Sequence, residues 1–486
     1  MIRSTTAFLL LAFQLLSPVS AGTPEKKNVS ESKTILCTEM TPSSKGIWEW
    51  DYLTGDWGGE RTRLAEHGFE LTVDYTGETM GVVTGGVQRG FTYEHRLEVG
   101  MDFDFEKMTG WKGGAFHVSS FWIEGTTPNN LRGAQDIAAY TGSLSDPSNI
   151  DAYDTFRLFE LYLEQRFFED KLTVRVGQLA ADAEFFTSDY GSPLFVNGTF
   201  GWPNFMAANQ PNGGAGYPSA TTGIFLKVQA TPELYFMSIV QDGNPGAQNG
   251  NNRHGTNFRI AEDEGLFTMH EVTYDLNKQE NDKGLPGAYS LGFWYHTDRF
   301  ADQRFDSNGI PLSDDATLTG TASNGTALNH EGNYGFYGII DQMLWREKNE
   351  GHEGLSFFTR LAGSPEADRT IIDFYAEGGV IYTGPIPTRD QDVLAVGVCY
   401  NEYSSRVTDF DRDASKVAMN GGNLPRPVRT SETILETTYR VQIAPWWYVQ
   451  PDFQYFINTG GGIASPITGN RVQDAVVLGV RTGITF

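Results

Sequence analysis

From Phe69 onward the chain alternates. Phe69, Leu71, Val73 and Tyr75 interleave with Glu70, Thr72, Asp74 and Thr76. Further on, Leu97, Val99, Met101, Phe103 and Phe105 interleave with Arg96, Glu98, Asp102, Asp104 and Glu106. Successive side chains project to opposite faces of a strand, so each stretch has one oily face and one charged or polar face. Charge this dense along one face suits a water-filled interior better than a packed sandwich. The last stretch, Asp474 to Phe486, repeats the pattern. Val476, Leu478, Val480, Ile484 and Phe486 share one parity, with Thr482 the polar member, and Ala475, Gly479, Arg481, Gly483 and Thr485 share the other, with Val477 the exception. A chain that commits its final residue to an apolar strand face is expected to close a membrane barrel against its first strand.

The same reading predicts further strands near 115–124, 156–168, 171–178, 222–229, 233–241, 266–276, 288–297, 333–345, 355–363, 370–383, 393–402, 431–442 and 447–456. With the first, second and last stretches this predicts a transmembrane up-and-down antiparallel β-barrel of about sixteen strands, fourteen or eighteen also fitting the pattern. Alternation is blurred over 115–124 and 333–345, which leaves those registers open. Tight links at Glu169-Asp170, Ala230 to Pro232 and Ala444-Pro445 alternate with long Gly-, Asn- and Asp-rich loops at 125–155, 179–221, 242–265, 298–332 and 403–429. Short turns on one rim and long loops on the other are expected of outer-membrane barrels. Trp294-Tyr295, Trp345, Tyr382 and Trp446-Trp447-Tyr448 bunch beside strand ends, as amphipathic rings at head-group level do.

What precedes Phe69 reads differently. Arg3, the apolar run Ala7 to Leu16 and the small-residue site Val19-Ser20-Ala21 predict a signal peptide over 1–21, too short to span a bilayer as a helix. Residues 22–44 are polar and read as a flexible arm. Residues 45–68 read as a periplasmic helical or plug segment, with a helix from Trp57 to His67 that Asp56 can cap and Gly68 can end. The barrel is expected over 69–486.

Composition narrows the function. The formal net charge is −25, or −26 once Arg3 leaves with the signal, which argues against nucleic-acid binding. The two cysteines, Cys37 and Cys399, are too far apart to make a disulfide framework, and no functional thiol is expected. Carboxylates recur periodically along strands rather than as an isolated acid–base pair, against glycoside hydrolysis. No Gly-x-Ser-x-Gly or phosphate-cradling motif is present, and His95, His117, His254, His270, His296, His330 and His352 lack paired metal-ligand spacing. No enzyme activity, cofactor or metal ion is expected.

Several stretches carry a resemblance. Leu53 to Gly59 (LTGDWGG) with Arg61 to Leu64, Gly177 to Asp182 (GQLAAD) with Glu184-Phe-Phe186, and Phe200 to Pro203 (FGWP) are three of them. Asn252 to Gly255, Gly332 to Gly335, Asp341 to Glu347 and Pro445-Trp-Trp447 through Gln450 to Tyr455 are others. Together they resemble the carbohydrate-selective porin family (OprB-like) of Gram-negative outer membranes, from about Trp48 to Phe486. The resemblance implies passive diffusion of small sugars, glucose-like ones above all, through a sixteen-stranded pore. Outer-membrane lipid and lipopolysaccharide are then the surroundings, and Phe486 the handle for the barrel-assembly machinery. The residues leave a homo-oligomer open, and a porin for other solutes and a soluble secreted β-protein are the competing readings.

A sugar-selective pore needs inward charged or amide groups and an aromatic ring or two, binding weakly enough for the solute to leave. By parity the inward candidates are Glu164, Arg175, Asp373, Glu377, Arg440, Asp452 and Arg481 on strands, and Asp182, Glu184 and Trp202 on the 179–221 loop, which would narrow the channel if folded into the lumen. For each, the stronger reading is a bracing or solvated place in the wall, through Arg–carboxylate pairs across neighbouring strands, rather than direct sugar contact.

Overall fold

The computed structural model describes residues 46–126, 137–279, 282–347 and 352–486. The predicted signal peptide and arm, and Cys37 with them, lie outside the described residues. Sixteen antiparallel strands close into one barrel: β1 (Phe69–Gly86), β2 (Gly90–Asp104), β3 (Gly114–Thr126), β4 (Thr155–Phe167), β5 (Leu172–Leu179), β6 (Thr221–Gln229), β7 (Leu234–Asp242), β8 (Leu266–Leu276), β9 (Gly287–Asp306), β10 (Ala327–Arg346), β11 (Gly354–Gly363), β12 (Ile372–Thr383), β13 (Val393–Tyr403), β14 (Ser431–Ala444), β15 (Trp447–Ile457) and β16 (Gln473–Thr485). Each pairs with its sequence neighbours, and β16 closes on β1, with Asp74 opposite Thr485 and Glu78 opposite Arg481. Closure removes every exposed edge, which a sheet in lipid requires.

The oily parity faces outward. Val176, Ile224, Leu291, Phe336 and Val480 are each more than half exposed. In a soluble protein this surface would aggregate, whereas lipid accepts it. The expectation of a uniformly wet interior needs correcting. Inward residues of β6 to β13, among them Phe225, Met237, Met269, Tyr337, Phe358, Tyr375 and Trp294, which was expected at head-group level, are buried in one apolar cluster inside the barrel. Their partners are Phe185, Phe186, Phe195, Val196, Phe200, Phe205 and Met206 of the 180–220 loop. The loop turns into the lumen because its own oily residues have no other place to hide.

Three regions depart from the predicted elements. β1 and β2 run on to a short turn at 87–89, because Gly77, Gly81, Gly85, Gly86 and Gly90 erase the alternation without ending the strands. Gly85 is required there: its φ is +68°, and a Cβ would lie 1.7 Å from the Asp474 carbonyl oxygen. β9 and β10 each span 20 residues, or roughly 66 Å at about 3.3 Å per residue. They project well past an apolar band of about 25 Å, and beyond it both faces are polar, so the sequence there resembles a loop. The 403–429 segment holds a helix, Ser405–Asn420, whose N-terminal Val407 N–H is capped by Ser404 Oγ at 3.4 Å.

The segment before β1 sits on the strand 1–16 seam. Its helix is Glu60–Glu66, preceded by a tighter turn at Trp57–Gly59, and Asp56 Oδ1 accepts from the Thr62 N–H at 2.9 Å. Arg61 stacks between Tyr52 (3.8 Å) and Trp57 (4.4 Å) and donates to the Phe486 carbonyl at 2.6 Å and the Leu71 carbonyl at 3.3 Å. Trp48 stacks on Trp446 at 6.0 Å, and Trp446 donates its indole N–H to the Ile47 carbonyl.

Candidate functional site

The lumen is narrowed by two loops held from the wall. Inward carboxylates take loop N–H groups: Glu436 those of Val196 (2.6 Å) and Asn197 (3.1 Å), Glu271 that of Phe186 (3.1 Å), Asp341 that of Asp189 (3.0 Å) and Glu160 that of Ala180 (3.0 Å). Arg360, fully buried on β11, does the converse. It ion-pairs with Glu377 and donates to the carbonyls of Phe186, Thr199, Phe200 and Gly201. A guanidinium offers five N–H donors in a fixed fork, so one side chain can satisfy a whole turn of loop carbonyls. The 137–154 loop packs beside the first, through Asn149 N–H to the Val196 carbonyl (2.7 Å) and Gly198 N–H to the Asp146 carbonyl (2.8 Å).

With the loops packed over the β6–β13 wall and tied as well to Glu160 of β4 and Glu436 of β14, a cavity of about 510 Å³ is left against β1, β2 and β14 to β16. That is inside the range of roughly 300–1,000 Å³ found for small-molecule sites. Arg96, Arg440 and Arg481 line it, as do Asp146, Asp151 and Asp182, so three formal positive charges meet three negative ones. Trp202, Tyr217 and Tyr448 supply ring faces. Trp202 is set by its indole N–H on the Gly213 carbonyl (2.9 Å), and a Cβ on Gly216 would press the ring at 3.0 Å. Arg440 lies over the Tyr448 ring at 4.5 Å and donates to Gln450 Oε1 (3.1 Å) and the Pro193 carbonyl (2.9 Å). Arg96 reaches Glu98 at 3.3 Å and sits over Phe121 and Tyr217. Asp182 accepts from the Tyr217 N–H at 2.6 Å, and burial pushes its carboxyl up to about 7.

Of the residues singled out in the sequence, Asp182, Trp202, Arg440 and Arg481 line this cavity. Glu164, Arg175 and Glu184 form a separate brace: Arg175 Nε meets Glu164 at 2.8 Å and its Nη1 pairs with Glu184, tying loop to wall. Glu377 is buried under Arg360, and Asp452 is buried beside Glu436 and accepts from Gln454 at 2.9 Å. Asp373 stands apart. The β12–β13 register slips between Ile372 and Phe374, and Asp373 is the extra residue at that outer end, beside Glu402. Parity counting carries through a strand only until a bulge resets it. The residues missed are Arg96, Arg360, Tyr217 and Tyr448. Arg96 stood on the charged parity of β2 and was legible there; Arg360 alternates with Thr359 and Leu361 and gives no local sign of its reach.

Comparison with known proteins agrees with this geometry. The model of the carbohydrate-selective porin, OprB family, matches residues 88–486. Porin B of Pseudomonas aeruginosa is 26% identical over 457 residues, covering 92% of each chain. The putative porin QuiX of Acinetobacter baylyi is 23% identical over 474 residues, 94% of this chain and 98% of that one. A high-pH structure of Pseudomonas putida OprB superposes with a TM-score of 0.76 at 24% identity, over 91% of this chain and all of that one.

Proposed function

This chain belongs to the carbohydrate-selective porin (OprB) family and is a sugar-selective pore of the Gram-negative outer membrane, and from that premise we propose that it passes small neutral sugars of the glucose class. The observation that supports this reading is the mixed-sign lining of the cavity, three arginines and three aspartates around ring faces. Arg481 is already paired to buried Glu78, and Asp182 ionises only as pH passes about 7. A neutral polyol needs donors and acceptors for its hydroxyls and a flat apolar face for its C–H side, and gains nothing from a net field. Arg440 and Arg96 are the donors, Asp182 the acceptor, and Trp202 and Tyr448 the faces. An anion pathway would call for an excess of Lys and Arg, which this cavity lacks. The barrel and family point to a channel rather than an enzyme, with solutes moving down their gradients.

Direct sugar contact rests on the cavity residues, while Glu164, Arg175, Glu184, Glu377 and Asp452 act by holding the constriction. Planar-bilayer conductance with glucose, maltose and succinate as competitors tests the reading. Glucose is expected to block the ion current at lower concentration than succinate. Equal block by all three, or block by succinate alone, rejects a neutral-sugar site.

A further inference from the structure

Away from the pore, three donors from three different elements meet on the extracellular side. Asp302 lies near the outer end of β9, His330 near the start of β10, and Asp368 in the connection between β11 and β12. His330 Nε2 is 2.8 Å from Asp302 Oδ2 and 3.7 Å from Asp368 Oδ2, and the three ligand atoms all lie within 4.8 Å of one another. We propose that these residues bind a divalent transition-metal ion of the zinc type, stapling the projecting β9–β10 hairpin to the β11–β12 connection.

Three observations carry the proposal. The first is spacing. Four-coordinate zinc at about 2.0–2.1 Å from each ligand sets neighbouring donors roughly 3.3 Å apart, and 2.8 and 3.7 Å bracket that value. The second is orientation from behind. Asp302 Oδ1 accepts the N–H groups of Arg304 and Phe305, both at 2.8 Å, which turns Oδ2 toward the imidazole. Asp368 is held by the Gln303 N–H on its carbonyl (2.8 Å) and by Arg369 Nε on Oδ1 (2.8 Å). Arg369 in turn donates to the Glu331 and Gly332 carbonyls of β10. Outer partners that fix ligands in this way are a regular part of metal sites. The third is valence. Both carboxylate oxygens face the same ring nitrogen, whose single N–H can serve only Asp302, while Asp368 Oδ2 has just a long 3.5 Å bond from Arg369 Nη2. A cation at that position serves both.

The donor set selects the metal class. One imidazole nitrogen with two carboxylate oxygens suits zinc and its neighbours, while calcium and magnesium prefer oxygen throughout. The side chains of His330 and Asp368 are 20% and 24% exposed and that of Asp302 only 2%, so the site opens to the medium on one side and leaves room for water as a further ligand. No spacing rule could have joined positions 302, 330 and 368, so a metal site there was not legible from the residues alone. Among the described residues no other trio of His, Cys, Asp or Glu ligand atoms converges this closely.

The test uses the untagged full chain in detergent, stripped with EDTA and titrated calorimetrically with zinc chloride, beside H330A and D368N. The expected result is one zinc ion per chain in the wild type that H330A loses, with at least tenfold weaker binding in D368N. Zinc should also slow proteolysis within 307–326 in the wild type and leave D368N unprotected. Equal zinc uptake by wild type and H330A overturns the proposal. Should H330A fail to assemble into a barrel that resists detergent until boiled, D368N decides by the same criterion, since its side chain lies on a connection outside the strands. Glucose block serves as the control and stays unchanged in both variants, because none of the three residues lines the cavity.

Discussion

Replacing Arg360 by Met removes a charge while keeping most of the side-chain length. The guanidinium serves five acceptors: the Glu377 carboxylate and the carbonyls of Phe186, Thr199, Phe200 and Gly201. Hydrogen bonds to a charged group contribute about 1.5–3 kcal/mol each, but they share one donor and do not add. Removing one partner of a buried ion pair costs about 3–5 kcal/mol, chiefly because the other charge is stranded. We take that range as the loss of loop docking, since the sixteen-strand ring is closed without the loop. At about 1.4 kcal/mol per factor of ten, the population with an undocked 180–220 loop rises by roughly two to three and a half orders of magnitude. Single-channel conductance should therefore be larger and noisier in R360M, and oligosaccharides excluded by the wild type should enter proteoliposomes in a swelling assay. Adding Glu377→Gln should restore part of the loss, because it removes the stranded carboxylate. If R360M keeps wild-type conductance, sugar exclusion and thermal unfolding, Arg360 does not hold the constriction and the account of the narrowed lumen fails.

Further expectations follow from the same geometry. Trp202→Ala removes the fixed ring face from the cavity and should raise the glucose concentration needed for half-block by several-fold, measured on single channels, with ion conductance unchanged or higher. Asp182, pushed up to about 7 by burial, holds its proton more tightly folded than unfolded, so its contribution is fully present below the ordinary carboxylate value of about 4 and is lost as pH rises from there through about 7. Protonation there leaves three arginines facing two aspartates, and the anion-to-cation permeability ratio should climb between pH 8 and pH 6 in the wild type and stay flat in D182N. Arg175→Ala cuts the brace to Glu164 and Glu184 and should alter glucose block through loop position; unchanged block and conductance together would remove it from the constriction. Arg61→Ala should lower the temperature at which the barrel loses its compact electrophoretic form, by an amount matching about 1–3 kcal/mol for a stacked, hydrogen-bonded guanidinium.

How much of this was legible depended on the range over which each rule acts. Alternation is local, so all sixteen strands and the closing pair could be read wherever side chains differ between faces, as in β2 and β16. It faded where glycine removed the side chains, at the β1–β2 turn, and where both faces meet water, along the projecting ends of β9 and β10. The site was legible in part for the same reason. Parity put Arg440 and Arg481 on the inner wall and the loop motif supplied Asp182 and Trp202. It could not say that Glu377 is consumed by Arg360, or Asp452 by Gln454 and Glu436, since Arg360 and Gln454 are in turn committed to loop carbonyls such as those of Phe200 and Pro147, 160 and 307 residues away in sequence. The oily interior on the β6–β13 side was missed because Phe and Met on an inward parity look like noise until the loop that covers them is in place.

The hydrogen bond from Thr485 to Asp74 joins residues 411 positions apart, and that separation has a cost in time rather than in stability. Contacts so distant in sequence are the slowest to form. Until the last strand exists the first has no partner on one side, and a nearly finished sheet would carry two raw edges ready to stick to any other. Removing the last dozen residues would take away nearly all of β16 and leave β1 and β15 each with a bare edge, an open sheet rather than a slightly weaker pore.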